Sequence, residues 1–351
     1  MDLRIETLND SNIDKWEIFN HEMDEGTFYH TIKWKRILES LGHIPHYYLI
    51  FSGDEVVAIC PFFEINIKGF KGIMPLPDSD YNHIVIKEDN QHNIIDFIRK
   101  ELESRAKKNS WSFIILNSLD KNFEEKLNTF YYPNFSMGTM SIDLENLSPA
   151  KIWDEIFTAK KAQRTYIKRF KKDGFEIRYL DSVEGIKTFY KYYLKNIRHI
   201  KGTEYPYSHF EDIYNLYSPN NRTLALLYKQ GFIAGGFLNF LDESKKTMHT
   251  RYIAINRDVP NKYHVQYYLL WETIKKAYEL KCKRLCLGSN VKDQNHRGYK
   301  LKSNFGADYK DNYSVLIPTS KIFKLGHSVY RSLYKVKQDE KRKIKLPKFK
   351  I

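Results

Sequence analysis

The stretch Lys283–Gly306, KRLCLGSNVKDQNHRGYKLKSNFG, decides how the rest of the chain is read. Arg284–Leu287 predicts a short buried strand, and Gly288 follows it as a turn. The polar run carrying Arg297, Lys300 and Lys302 predicts a helix that ends at Phe305-Gly306, where the glycine suits a C-cap. Upstream, Asn261–Cys282 has the spacing of a long amphipathic helix. Downstream, Asn312–Ile317 reads as a strand closed by Pro318. A strand, a turn and a basic helix in this order suit an anionic or acyl-bearing ligand.

At 351 residues the chain has room for two domains of ~150 residues each. With 42% apolar and 28% charged residues it is globular, not disordered. The 26 Tyr and 22 Phe predict an aromatic-rich core or a cleft with stacking surfaces. Lys and Arg outnumber acids 57 to 43, a net charge of +14, which favours an anionic partner: RNA, an anionic membrane surface or a phosphorylated precursor. The charge gathers in Lys160–Lys172 and after Lys335. Cys60, Cys282 and Cys286 form no paired framework, which points to a reducing compartment. No second Cys/His pair stands at ligand spacing from Cys282 and Cys286, so neither a metal nor a cofactor is expected. MDLRIETLND has no basic-then-apolar signal pattern, and no apolar run approaches the ~18 residues of a membrane span. The expectation is a cytoplasmic protein.

Both halves follow one order: strand, helices, β-hairpin, further strand, helix, strand. In the first half the hairpin joins Tyr47–Phe51 to Val56–Ile65 at Gly53-Asp54, and a loop over Met74–Ile86 follows. A helix (Asn93–Lys107), a strand (Ser112–Leu116), a short helix (Leu119–Leu127) and a strand (Met137–Leu144) complete it. In the second half the hairpin joins Arg222–Tyr228 to Phe232–Phe240. The fold class predicted is α/β, two copies of one mixed-sheet domain over 1–147 and 148–318, then a basic helix and tail over 319–351. In that tail Ile322, Leu325, Val329, Leu333 and Val336 share a face edged by Lys324, Arg331, Lys335 and Lys337, before the end KRKIKLPKFKI. It reads either as a segment lying on an anionic membrane or as a docking helix with a solvated end.

These residues resemble the FemAB/FemX-like proteins, which carry two GNAT-fold domains in tandem. The resemblance covers most of residues 27–317. It rests on Thr27-Phe28-Tyr29-His30-Thr31 with Trp34, on Leu76-Pro77 with Ser79-Asp80-Tyr81, and on Lys161, Arg164, Ile167, Lys171 and Gly174. Further along it rests on Gly202-Thr203, Pro206 and Phe210, on Pro260-Asn261, Tyr268, Trp271 and Ala277, and on Leu301-Lys302-Ser303-Asn304-Phe305-Gly306. Cys286 and Ser289 depart from the Asp and Arg frequent at those places in the family. The coiled-coil arm of the bridge-forming members is not visible.

The resemblance implies acyl transfer, in which an amine attacks an activated acyl carbon. The protein orients the two, accepts a proton and stabilises the oxyanion. No Q/R-x-x-G-x-G/A turn for a pyrophosphate stands in either half, and the glycines of Gly231–Gly236 fall inside a hairpin. That favours a donor other than acetyl-CoA, and the resemblance supplies aminoacyl-tRNA. It also implies a role for Lys302 at the donor acyl end, where the residue pattern alone gives a surface lysine. Asp80 reads either as the proton acceptor or as a turn cap, with Tyr81 beside it for substrate. Arg164 and Lys168, four apart, form a stripe for phosphates or a solvated helix face. Lys33 and Arg36 flank Trp34 and could meet a phosphorylated acceptor. Tyr268, Trp271 and Phe305 are expected against substrate. His199, His249 and His264 read as structural, and no nucleophilic triad is formed.

The function expected is transfer of an aminoacyl group from aminoacyl-tRNA to an amine of a cell-envelope or glycan-linked precursor, often phosphorylated. One alternative is an acyl-CoA-dependent N-acyltransferase acting on an amino sugar. Another is a non-catalytic protein that binds RNA or a glycan carrier.

Overall fold

A computed structural model describes residues 2–87, 91–123, 137–159 and 161–328. Among the described residues the strands form two seven-stranded mixed sheets. In chain order the first half supplies β1 (Leu3–Thr7), α1 (Ile13–Glu22), α2 (Ile32–Ser40), β2 (Pro45–Ser52), β3 (Glu55–Ile67), β4 (Phe70–Pro75), β5 (Val85–Ile86), α3 (Gln91–Asn109), β6 (Phe113–Ser118) and β7 (Met137–Asp143). After short helical turns over residues 149–159 come α4 (Lys161–Lys172), β8 (Glu176–Leu180), α5 (Val183–Ile200), α6 (Tyr207–Leu216), β9 (Arg222–Lys229), β10 (Phe232–Asp242) and β11 (Thr247–Ile255). The chain continues with α7 (Val265–Glu279), β12 (Arg284–Val291), α8 (Arg297–Ser303), β13 (Asp308–Lys310) and β14 (Tyr313–Pro318).

The first sheet runs β1-β2-β3-β4-β6-β14, with β5 on β3; the second runs β13-β7-β12-β11-β10-β9-β8. Sheet membership therefore crosses the division expected at 147/148. β7 lies antiparallel to β12 in the second sheet, and β14 returns antiparallel to β6 in the first, with Ser314 opposite Asn117.

Each sheet holds one parallel pair that pairs briefly and then parts. β4 and β6 pair at Gly72↔Phe113 and Ile73↔Ile114; β11 and β12 pair from Thr247↔Arg284 to His249↔Cys286. Gly72 is required there, because a Cβ would stand 2.5 Å from the Phe113 ring. Beyond these pairs the strands diverge and open a wedge in each sheet. The two wedges position the site.

Burial explains why the halves form one body. One apolar core draws Trp16, Trp34 and Phe51 from the first half together with Phe189, Phe210 and Phe240 from the second. Phe28 stacks on Phe240 with ring centroids 4.7 Å apart. Apolar area of this kind, at roughly 25 cal/mol per Å² removed from water, opposes separation of the halves. A second core lies beneath α4 and α7, and a third beneath α3. Most of the short helix expected over Leu119–Leu127 lies outside the described residues, as does the tail beyond 328. The start of that tail, residues 321–328, is helical and docks through Phe323 onto Phe113. Among the described residues no helix is long and apolar enough to cross a membrane.

Candidate active site

The site starts from the loop that leaves β4. Leu76 and Asp78 both take positive φ, 39° and 55°, which turns the chain sharply toward the second sheet. The loop is pinned on its near side: Trp34 Nε1 donates to Ser79 Oγ at 2.8 Å, and His43 Nε2 lies 3.1 Å from Asp78 Oδ2. On its far side Asp80 enters the wedge between β11 and β12. Its Oδ1 accepts the Ser289 N–H at 2.8 Å and the Ser289 hydroxyl at 2.9 Å. Its Oδ2 accepts the Tyr29 hydroxyl at 2.7 Å and lies 3.8 Å from Arg251 Nη1. A carboxylate offers about four lone-pair sites, so one remains on Oδ2.

The Asp80 side chain is 12% exposed, and burial by itself would raise its pKa. The Arg251 charge, the Ser289 N–H, the Tyr29 hydroxyl and the Lys302 charge together outweigh burial and hold it below 3.8. Asp80 is therefore an ionised carboxylate at neutral pH. Tyr29 is pushed far up by burial and by Asp80, so it stays a hydroxyl donor. Burial and Asp80 also push the Cys286 thiol up to about 11, and Tyr81 hydrogen-bonds to it; this cysteine is a buried thiol and not a nucleophile.

Gly288 and Lys302 shape the turn that meets Asp80. Gly288 has φ +77°, and a Cβ there would lie 3.1 Å from both Asp80 oxygens. Lys302 projects from α8 behind the turn, its Nζ donating to Gly288 O at 3.2 Å and Ser289 O at 3.0 Å. Burial lowers its pKa, opposed by the charges of Asp80 and Cys286. Two of its three N–H donors are engaged, which leaves one.

A cleft of about 400 Å³ opens where the two wedges face each other. Its walls include Asp78, Asp80 and Asn82 from the loop, Asn117 of β6, Ser314 of β14, Tyr205, Arg251 of β11 and Ser289 of β12. Arg251 donates through Nη2 to the Asp78 carbonyl and to Tyr205 Oη, and its buried Nε has no partner among the described residues. The exchanged strands β7 and β14 thus build the cleft directly, through Met137 and Ser314.

Of the residues singled out in the sequence, the fold brings Asp80, Tyr81 and Lys302 together. Tyr81 packs its ring 6.2 Å from Tyr29 and 5.6 Å from His249. The others lie elsewhere. Lys33 and Arg36 are on the exposed side of α2, while Trp34 between them faces inward. Arg164 Nε donates to Trp153 O at 3.0 Å and its Nη2 to Thr158 Oγ1 at 3.1 Å, bracing the preceding helical turn, and Lys168 is exposed on α4. Phe305, Trp271 and Tyr268 are core side chains: Phe305 meets Phe157 edge-on, Trp271 packs on Trp153, and Tyr268 stacks on Phe170. Sequence reasoning passed over Tyr29, Arg251, Gly288 and Ser289 as site residues.

Comparison with known proteins agrees with this architecture. Residues 159–301 match the family described as an acetyltransferase (GNAT) domain. Among solved structures, FemX superposes with a TM-score of 0.64 at 12% identity, covering 91% of this chain and 99% of FemX. The fold is a tandem GNAT fold. A tandem GNAT protein from the clavulanic acid biosynthesis pathway matches with a TM-score of 0.56 at 11% identity, over 91% of this chain and 99% of its own. The C-terminal domain of a putative lysylphosphatidylglycerol synthetase from Agrobacterium fabrum matches with a TM-score of 0.58 at 12% identity, over 88% and 92%. No curated protein matches the sequence. In the tandem GNAT frame, the Asp80 loop of the first domain fills the wedge of the second.

Proposed function

We propose that this chain is an N-acyltransferase that transfers an aminoacyl group to a primary amine in the cleft between its two GNAT-like domains. The observation that carries the reading is Asp80: an ionised, buried carboxylate in the cleft wall with one lone pair uncommitted. It suits an incoming amine, which must first release its extra proton to solvent, because an ammonium nitrogen has no lone pair with which to attack. As the amine nitrogen bonds to the acyl carbon it becomes far more acidic, and Asp80 takes its proton. The C–O bond of the donor ester then breaks, and the proton passes to the departing oxygen. Arg251 in the cleft wall, with the Lys302 charge behind the Gly288 turn, supplies positive potential for the acyl oxygen as it becomes an oxyanion. Asp80 would hold little of the proton at rest; its use is to orient the free amine by accepting one of its N–H groups and to receive a proton once the bond forms.

A pyrophosphate would need a glycine-rich turn with free N–H groups at a helix start, and the sequence carries no Q/R-x-x-G-x-G/A turn in either half. This favours an ester-linked aminoacyl donor such as aminoacyl-tRNA over an acyl-CoA. The net charge of +14 favours a polyanionic donor and a phosphorylated envelope or glycan-linked acceptor. The lysylphosphatidylglycerol synthetase named above is a tandem-fold relative whose name describes a lysylated lipid, which agrees with aminoacyl transfer.

The test is a donor competition. The purified chain is given labelled aminoacyl-tRNA or a panel of acyl-CoA, with an envelope-precursor extract as acceptor. Label moved from tRNA to an amine supports the reading. Label moved from acyl-CoA alone replaces it with acyl-CoA-dependent transfer.

A further inference from the structure

We infer that the C-terminal helix and the β3–β4 hairpin form a docking surface for an anionic lipid bilayer, placed at the edge of the cleft. Vesicle binding needs neither donor nor acceptor, so this inference stands apart from the acyltransfer reading.

Residues 321–328 form a helix with two apolar sides. Phe323 and His327, four apart, face the protein and are 7% and 8% exposed. Ile322 and Leu325 face outward and are 73% and 70% exposed, the most exposed large hydrophobic side chains among the described residues. Core packing explains the first pair and leaves the second without a purpose inside the fold. Lys321 and Lys324 are exposed on the same short helix.

The helix is held in place. Phe323 stacks on Phe113 of β6 at 4.7 Å and meets Phe70 of β4 edge-on at 5.2 Å. Thr319 and Ser320 donate their N–H groups to Ser112 O at 2.9 and 3.2 Å. The tip of the β3–β4 hairpin, with exposed Lys68 and half-buried Ile67 and Phe70, extends this surface. The cleft lies close by. Ile115, two residues and about 7 Å along β6 from Phe113 on the same face, lines the cleft. Met74 packs against the Phe323 cluster and lines the cleft as well.

Charge selects the occupant. Exposed aliphatic side chains set among lysines suit an interface with anionic headgroups. The sequence that follows, 329–351, carries nine Lys and Arg against two acidic residues, and juxtamembrane basic residues add attraction to an anionic surface one by one. A second copy of the chain would bring the same positive charge against itself. Set beside the acyltransfer reading, on which this one consequence rests, docking would present the cleft to an acceptor carried on a lipid.

The test is co-sedimentation of the full chain with phosphatidylcholine vesicles and with vesicles in which phosphatidylglycerol replaces about a third of the lipid, near 0.1 M salt. The expected result is at least tenfold tighter binding to the anionic vesicles, weakened by added salt. The double variant Ile322→Glu/Leu325→Glu is expected to lose at least tenfold in partition while keeping the wild-type melting temperature. Ile200→Glu, at an exposed apolar position on α5, is expected to bind as wild type. Equal binding to neutral vesicles, or a double variant that binds as wild type, overturns the inference. Absence of vesicle binding together with a dimer that the double variant dissociates would assign the face to a second copy and overturn it too.

Discussion

Ser289 donates both its main-chain N–H and its hydroxyl to a single oxygen of Asp80, a residue 209 positions away in the chain. This one carboxylate ties the loop after β4 to the turn after the buried part of β12. A charged acceptor makes each such bond worth about 1.5–3 kcal/mol when intact. Ser289→Ala removes the hydroxyl and keeps the N–H. We expect it to lower unfolding free energy by about 1–2 kcal/mol, measured by urea titration.

Gly288 tests the same contact from the other side. Gly288→Ala places a methyl 3.1 Å from both Asp80 oxygens at φ +77°, whereas Gly53→Ala, at φ +60°, meets nothing within 4 Å. Both carry the left-handed backbone cost of about 1–2 kcal/mol. Only Gly288→Ala should cost more than that and also slow turnover. Equal effects would mean that Asp80 yields freely.

Acid should unfold the protein in two stages. Burial pushes His30 and His249 down to about 4 and His209 to about 3, from an ordinary 6.5. Each is neutral when folded and binds a proton when unfolded below pH ~6.5. Their stabilisation is full above that pH and is lost as pH falls toward 4, by about 1.4 kcal/mol per unit for each group. Asp80 acts lower: its stabilisation is present above about 3.9, the unfolded value, and is lost as pH falls through its depressed folded pKa. Urea midpoints taken from pH 7.5 to 4.5 should fall steadily below 6.5. A flat profile would contradict the buried neutral histidines.

The core aromatics separate packing from binding. Phe305 is fully buried beneath α7, so Phe305→Ala should cost about 3–5 kcal/mol. Phe305→Leu should cost less and leave KM for donor and acceptor unchanged. A raised KM in a stable Phe305→Leu protein would return this residue to the substrate.

Much of this architecture can be read from residues alone, and the failures have physical causes. The strand and lysine helix of 283–306 are local features set by periodicity and form where they are read, but the strand runs on through Gly288 to Val291, so the glycine makes an irregularity inside the strand and does not end it. Both hairpins read from the sequence form as well. Strand β4, Phe70–Pro75, is short and interrupted by Gly72, so alternation does not mark it, and its end, Met74-Pro75, reads as loop. The exchange of β7 and β14 between sheets is invisible because alternation specifies a strand and not its partner. Asp80 stands out through its proline-flanked loop, but Arg251 sits in an ordinary strand and Tyr29 in a one-turn helix. Only the fold brings them to the carboxylate. Tyr268 and Trp271 fall at helical spacing on an amphipathic segment, the pattern of core side chains, and they pack as core.

The most direct measurement is label transfer to an amine acceptor by wild type and by Asp80→Asn at matched melting temperature. The variant keeps the shape of the side chain and removes its charge and basicity. The account predicts a fall in kcat/KM of about 10²–10⁴, the usual contribution of a positioned proton acceptor. A stable Asp80→Asn protein that transfers label within threefold of wild type would mean that this carboxylate only ties the domains together, and that the chemistry lies elsewhere.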